Sequence, residues 1–282
     1  MIDDRAAAPA NSGAQIPRRI LQTAKTPPQS VRLRAFAAGL RLLHPDYEFQ
    51  FFGNAAVEQF MDREFPRYRT VFDGFRYPIQ RYDFFRYLAV YRYGGFYFDL
   101  DVAFAAPLDS LLASGCVFPF EQISLNPFLR VRGMDWEAGN YAFGAAAGHP
   151  FLEALIENCV RGQREPAWVE KMLRGLPPLS RPEYFVLCST GPGMVSRTLL
   201  EHPELAAGVN ILFPEDVCDG ASWNSFGTYG VHLMDGGWRP GKGAIRKRIE
   251  RVWIDWQHNC ALRASQKLGP KRNLPCMGGP GR

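Results

Sequence analysis

Apolar residues recur along this chain with two periods in turn, close to 2 and close to 3.6, and the alternation predicts its elements. Residues 16–23 (IPRRILQT) read as a first strand running into a turn at Pro27-Pro28. Residues 29–43 have helical spacing and stop at His44-Pro45. Residues 47–52 alternate as a second strand, and Asn54 reads as the cap of a helix to about Phe65. A link over 66–79, rich in aromatics and arginine, leads into a helix over 80–93. There Phe84, Leu88 and Tyr91 share one stripe, while Asp83 and Arg86, three apart, share another face. Gly94-Gly95 ends this helix, because glycine accepts the left-handed cap conformation. Residues 96–98 (FYF) form a short, buried, aromatic strand, with Asp99 and Asp101 at its carboxyl end.

The pattern continues with mixed elements. Strands are expected over 116–120, 140–145 and 209–214, and helices over 150–160 and from Pro192 to about His202. Residues 121–139 read as an irregular loop carrying Arg130, Arg132, Asp135, Trp136 and Glu137, the kind of segment that builds an acceptor pocket. Residues 161–187 are proline-broken and give no clear assignment. Residues 244–262 read as an amphipathic helix, basic at its start. This βαβ rhythm predicts an α/β fold, a central mostly parallel sheet with helices on both faces. The expected organisation is a disordered leader over 1–14, one domain over 15–263 and a disordered basic tail over 264–282.

Composition narrows the picture little. A chain of 282 residues with 46% hydrophobic content is long enough for one α/β domain with a substantial core, or two small ones. No apolar run approaches the roughly 20 residues of a membrane span, and residues 1–15 contain no apolar signal core. As given, the chain is expected to be cytoplasmic, with peripheral membrane contact open through the basic helix over 244–262. A Golgi-lumenal setting would require an anchor trimmed from its N-terminus. Six cysteines without a CxxC pair (Cys116, Cys159, Cys188, Cys218, Cys260, Cys276) argue against a zinc ribbon or a disulfide scaffold and fit a reducing compartment. The net charge of +5 is spread rather than striped, which argues against nucleic acid as a partner.

Ligands of α/β sheets bind at the carboxyl ends of strands. Two carboxylates there, flanking Leu100, suit a hard divalent cation that also holds phosphate oxygens. Arg81-x-Asp83-x-x-Arg86-Tyr87, then Tyr91-x-x-Gly94-Gly95-x-Tyr97-x-Asp99-x-Asp101, resembles the DxD sugar-binding region of glycosyltransferase family 32. Weaker matches flank it. Residues 16–24 resemble the family's opening strand, with Leu21 and Ala24 where histidine and tryptophan are usual. Asn140, Gly148-His149-Pro150-Phe151 and Thr190-Gly191-Pro192 also have family counterparts. Residues 232–238 resemble its closing His-x-x-x-Gly-Ser-Trp, with Gly237 in place of the serine.

The resemblance implies a GT-A-like, metal-dependent hexosyltransferase that acts with retention. Its donor would be a UDP- or GDP-linked sugar, and its acceptor a hydroxyl on a glycan, lipid-linked or protein-linked partner. Asp99, Asp101 and His232 would hold Mn²⁺ or Mg²⁺, with imidazole leaning towards Mn²⁺. Asp83 and Arg86 would orient the sugar hydroxyls and the departing phosphate, with Asn140 near the donor sugar and Asp101 at the reacting centre. Gln22 and Thr23 would meet the base or ribose, and Trp238 would close over the diphosphate. Each has a plainer reading: a surface ion pair for Asp83 and Arg86, a core histidine for His232, a helix cap for Thr190, strand-end polar groups for Gln22 and Thr23. His149 reads as structural at a helix start, and Trp223, Trp253 and Trp256 as core. Two rival classes stand beside the transferase. One is a phosphatase of the haloacid dehalogenase type, with Asp99 as nucleophile and Glu215, Asp216 and Asp219 as its late acidic group. The other is a non-catalytic sugar-binding module.

Overall fold

The computed structural model describes residues 14–174 and 181–234. Residues 1–13 of the leader, Trp238, the helix expected over 244–262 with Trp253 and Trp256, the tail, and Cys260 and Cys276 lie outside the described residues. The strands are β1 (Arg19–Thr23), β2 (Glu48–Phe52), β3 (Gly95–Phe98), β4 (Val102–Phe104), β5 (Cys116–Ile123), β6 (Trp136–Ala138), β7 (Ala142–Ala145), β8 (Asn210–Leu212), β9 (Ser225–Phe226) and β10 (Gly230–His232). The first helices are α1 (Val31–Leu43), α2 (Asn54–Glu64), α3 (Arg69–Gly74), α4 (Pro78–Tyr93) and α5 (Pro127–Arg130). The rest are α6 (Pro150–Arg164), α7 (Pro166–Glu170), α8 (Arg181–Ser189), α9 (Pro192–Glu201) and α10 (Pro203–Ala206).

The α/β class is as expected, and the central sheet is mixed rather than mostly parallel. Its order is β2-β1-β3-β7-β5-β6, with β8 beside β5. β1 runs parallel to β2 and to β3, and β5 parallel to β8. The β3–β7, β7–β5 and β5–β6 pairs are antiparallel. Helical crossovers join β1 to β2 and β2 to β3, as the parallel part of the sheet requires. The antiparallel part arises because β7 enters the sheet between β3 and β5 and runs against both. The loop expected over 121–139 is partly ordered as the end of β5, α5 and β6. The unassigned stretch over 161–187 is the end of α6, then α7 and most of α8 around undescribed residues 175–180.

Alternation along the strands divides the interior in two. Leu21, Tyr97, Phe118 and Phe143 join the larger cluster, under α2, α4, α6 and α9. Their neighbours Ile20, Phe96, Val117 and Ala142 join a second cluster with Leu40 of α1. Helices thus cover both faces, and a one-residue slip in β3 would exchange its two sets. Trp223 packs with Phe120 and Ile123 as core.

Two features aim α4 at the site. Its N-terminus is closed by Gln80, whose side-chain oxygen accepts the Tyr77 N–H at 2.8 Å. Its C-terminus turns at Gly94 (φ 65°, ψ 178°), whose extended ψ is not the left-handed cap expected from the sequence. Gly95 follows at φ 105°, and a Cβ there would lie 2.5 Å from the Arg19 carbonyl oxygen. Only glycine lets β3 start this close to β1. Asn54 is the first residue of α2 rather than its cap; its side-chain oxygen accepts the Tyr82 hydroxyl at 2.7 Å.

Candidate active site

β3 ends at Phe98, and the Asp99 N–H continues the ladder by donating to the Tyr141 carbonyl at 2.8 Å. The backbone of the first aspartate is therefore fixed by the sheet. β4 then leaves Asp101 and forms a small antiparallel sheet with β10 and β9. In that pairing Val102 faces His232, and the Leu233 N–H donates to the Asp101 carbonyl at 3.0 Å. A histidine 131 positions later in the chain thus arrives beside the pair. Ligand atoms of Asp99, Asp101 and His232 lie within 4.8 Å of one another, and His232 Nε2 is 3.4 Å from Asp101 Oδ1. Burial disfavours a charged imidazole, but the Asp101 hydrogen bond and the nearby carboxylates outweigh it and raise the His232 pKa. Two carboxylates and an imidazole at this spacing fit one divalent cation of the Mn²⁺ or Mg²⁺ kind.

Asp83 and Arg86 are not a surface pair. Both side chains are only 6% exposed, and Arg86 Nη2 lies 2.7 Å from Asp83 Oδ1. The same guanidinium reaches further: Nη1 lies 3.3 Å from Asp99 Oδ1 and donates to the Asn140 carbonyl at 3.0 Å. Its face rests 4.8 Å over the Tyr97 ring. Arg86 therefore joins the helix face that carries Asp83 to the first aspartate of the DxD pair. Burial pushes the Asp83 carboxyl up to about 6, against Arg86 and the Thr190 and Asn140 hydrogen bonds, which favour the charged form. Burial also disfavours the Arg86 charge, but Asp99, Tyr97 and Asp83 outweigh it and keep the guanidinium protonated.

Thr190 does not cap α9; Gly191 holds that position. The Thr190 hydroxyl donates to Asp83 Oδ2 at 2.9 Å, so the Thr-Gly-Pro turn delivers a donor to the buried carboxylate. Removing that donor in Thr190→Val is expected to cost roughly 1.5–3 kcal/mol, the range for hydrogen bonds to charged groups. The denaturant midpoint checks this, and an unchanged midpoint would mean that Asp83 does not depend on it. Asn140 donates to the Tyr87 hydroxyl at 2.9 Å and lies 3.4 Å from Asp83 Oδ1. It shares the Asp83 network.

Tyr97 was missed as a site residue. Its hydroxyl donates to Asp99 Oδ1 at 2.8 Å, on the oxygen that Arg86 also approaches. The signal was present: residues two apart at a strand end share a face. Tyr141 was missed too. Its ring stacks on His232 at 4.3 Å, and no spacing rule links residues so far apart. Of the first-strand candidates, Thr23 donates its hydroxyl to the Phe52 carbonyl at 2.8 Å, the plainer of its two readings. Gln22 stands half-buried at the carboxyl end of β1. His149 caps α6, accepting the Phe151 N–H at 3.3 Å. Asp216 and Asp219, the late acidic group of the phosphatase reading, cap local turns through Cys218 N–H and Ala221 N–H. A cleft of about 590 Å³, lined by Arg76, Tyr77, Lys171, Leu173 and Phe185 among others, shares no residue with this cluster.

Residues 31–118 match the family described as the glycosyltransferase sugar-binding region containing a DXD motif. The matched stretch holds Asp83, Arg86, Tyr97, Asp99 and Asp101, while Asn140, Thr190 and His232 join them from outside it. Among curated relatives, inositol phosphoceramide mannosyltransferase 3 of Schizosaccharomyces pombe is 34% identical over 54% of this chain and 39% of the relative. Inositol phosphoceramide mannosyltransferase 2 of the same yeast is 26% identical over 74% and 59%. The mannosyl phosphorylinositol ceramide synthase SUR1 of Saccharomyces cerevisiae is 34% identical over 50% and 34%. The chain thus spans between about a third and three fifths of the length of these relatives. Similar solved structures include the PaToxG glycosyltransferase (TM-score 0.44, 16% identity, 69% of this chain and 74% of that one). Another is the UDP-bound glycosyltransferase domain of the YGT toxin (TM-score 0.41, 9% identity, 70% and 80%).

Proposed function

We propose that this chain is a metal-dependent hexosyltransferase, moving mannose or a closely related hexose from a UDP- or GDP-linked donor to a hydroxyl acceptor. The observation that carries the reading is the convergence of Asp99, Asp101 and His232 beside the buried Asp83–Arg86 pair. A divalent cation held by the three ligands would neutralise the donor diphosphate as a Lewis acid. The chain's own residues supply the rest. Tyr97 and Arg86 both engage Oδ1 of Asp99, which orients that carboxylate. Asp83, held by Arg86, Thr190 and Asn140, presents a fixed acceptor to sugar hydroxyls. Because one guanidinium ties Asp83 to Asp99, the sugar side and the phosphate side of the site are one preorganised unit. Retention at the anomeric carbon and contact of Gln22 with the nucleotide belong to the same reading. The relatives named for inositol phosphoceramide favour a lipid-linked acceptor.

The test is turnover. The protein is incubated with Mn²⁺ and, separately, GDP-mannose and UDP-hexoses, with and without a phosphoinositol-bearing lipid, and free nucleoside diphosphate is measured. One donor is expected to be consumed, faster with acceptor. Consumption of none, together with hydrolysis of phosphate monoesters, would return the assignment to the phosphatase class.

A further inference from the structure

Helix α1 carries a second apolar stripe, on the side turned away from the core. Leu40 is the only buried residue of α1, with Leu33, Phe36 and Leu43 half-buried on the same side, and the helix leans on β4, the strand that leaves Asp101. Val31, Ala35, Ala38 and Leu42 recur at i, i+4, i+7 and i+11 on the opposite side, and all four are exposed, Val31 by 75% and Leu42 by 82%. Arg34 and Arg41 flank the stripe on one edge and Arg32 on the other, and α1 contains no acidic residue. The Arg41 guanidinium sits 4.4 Å over the Phe49 ring, with the rest of the side chain exposed.

We infer that this face is a docking surface for an anionic membrane, with the apolar stripe at the headgroup boundary and the arginines on lipid phosphates and carboxylates. Charge selects this occupant. A second copy would set arginine against arginine across a stripe whose middle offers only two alanines. Residues 235–282 are themselves strongly basic and would be repelled from the same edges. An amphipathic helix with small apolar area and flanking cations binds mainly where anionic lipid supplies the attraction. Each arginine near such a surface adds roughly fivefold in affinity. The stripe lies on the far side of α1 from β4, the strand that leaves the DxD site. The inference does not depend on the reaction assigned to that site.

The test is cosedimentation of the whole chain with phosphatidylcholine vesicles, with and without phosphatidylserine. Binding is expected only when phosphatidylserine is present, falling as salt rises. Leu42→Asp and Val31→Asp change well-exposed positions and should keep the parental melting temperature, yet each should weaken binding at least about tenfold by placing an anion at the boundary. Arg34→Glu should do the same. No binding by the parent would overturn the inference. Equal binding by parent and variants would overturn it too, placing the contact on another surface. A dimer in the parent that Leu42→Asp dissolves would make the stripe an interface between copies instead.

Discussion

Asp101→Ala is expected to lower transfer by at least about a thousandfold, roughly 4 kcal/mol of transition-state stabilisation, with the melting temperature close to parental. Asp99→Ala should match it in activity, but with a lowered melting temperature, because it removes a counter-charge of the buried Arg86. The size follows from the chemistry: a cation on the diphosphate supplies several kcal/mol as charge develops on the leaving group. Two carboxylates and one imidazole are its only proposed protein ligands. For Asp101 the stability side follows from exposure. Asp99 and Asp101 side chains are 28% and 16% exposed, so neither replacement empties a packed core. Losing one of two neighbouring like charges also relieves repulsion in the metal-free protein. Excess chelator should reproduce the loss in the parent, and full transfer in chelator would contradict the assignment.

Arg86 should behave differently, because it is buried and bears on both halves of the site. Arg86→Ala leaves the Asp83 carboxylate buried without its main counter-charge. That is expected to cost about 3–5 kcal/mol of stability, a fall in melting temperature on the order of 10 °C. Activity lost in this variant would say little, so the informative replacement is Asp83→Asn. It keeps the shape, the Thr190 contact and a charged Arg86 beside Asp99. If Asp83 holds donor-sugar hydroxyls, kcat/KM should drop roughly a hundredfold, about 2.7 kcal/mol, with nucleoside diphosphate affinity near parental. Arg86→Lys retains charge but not the fork that reaches Asp83, Asn140 and Asp99 together, so it should weaken both transfer and metal-dependent nucleotide binding. Parental kcat/KM in Asp83→Asn would confine this buried pair to a structural role.

Much of this site was legible in the sequence where its geometry is local. The stripe on α4, the glycines after it and the aspartates at the end of β3 lie within 24 residues, and helix and strand periods place them without knowledge of the fold. Burial of the Asp83–Arg86 pair was not legible. An i,i+3 acid–base pair looks the same on a solvated face, and only the approach of Asn140 and Thr190 from distant segments decides it. The mixed sheet was missed because β6 lies in a stretch that read as loop, and nothing local announces that β7 inserts between β3 and β5 against the direction of both. Thr190 looked like a cap because threonine before Gly-Pro suits one; a buried carboxylate in reach was the stronger attraction. His232 reaches Asp101 through β4–β10 pairing, which three-residue strands do not announce.

In the proposed reaction Asp99, Asp101 and His232 form a cation site that holds the donor's diphosphate. Calorimetric titration of the protein with GDP and UDP, in Mn²⁺ and again in chelator, tests this most directly. One nucleotide is expected to bind in Mn²⁺, to lose at least about tenfold in affinity in chelator, about 1.4 kcal/mol, and to lose as much in Asp101→Asn with Mn²⁺ present. Equal affinity with and without the cation, or in parent and Asp101→Asn, would contradict it.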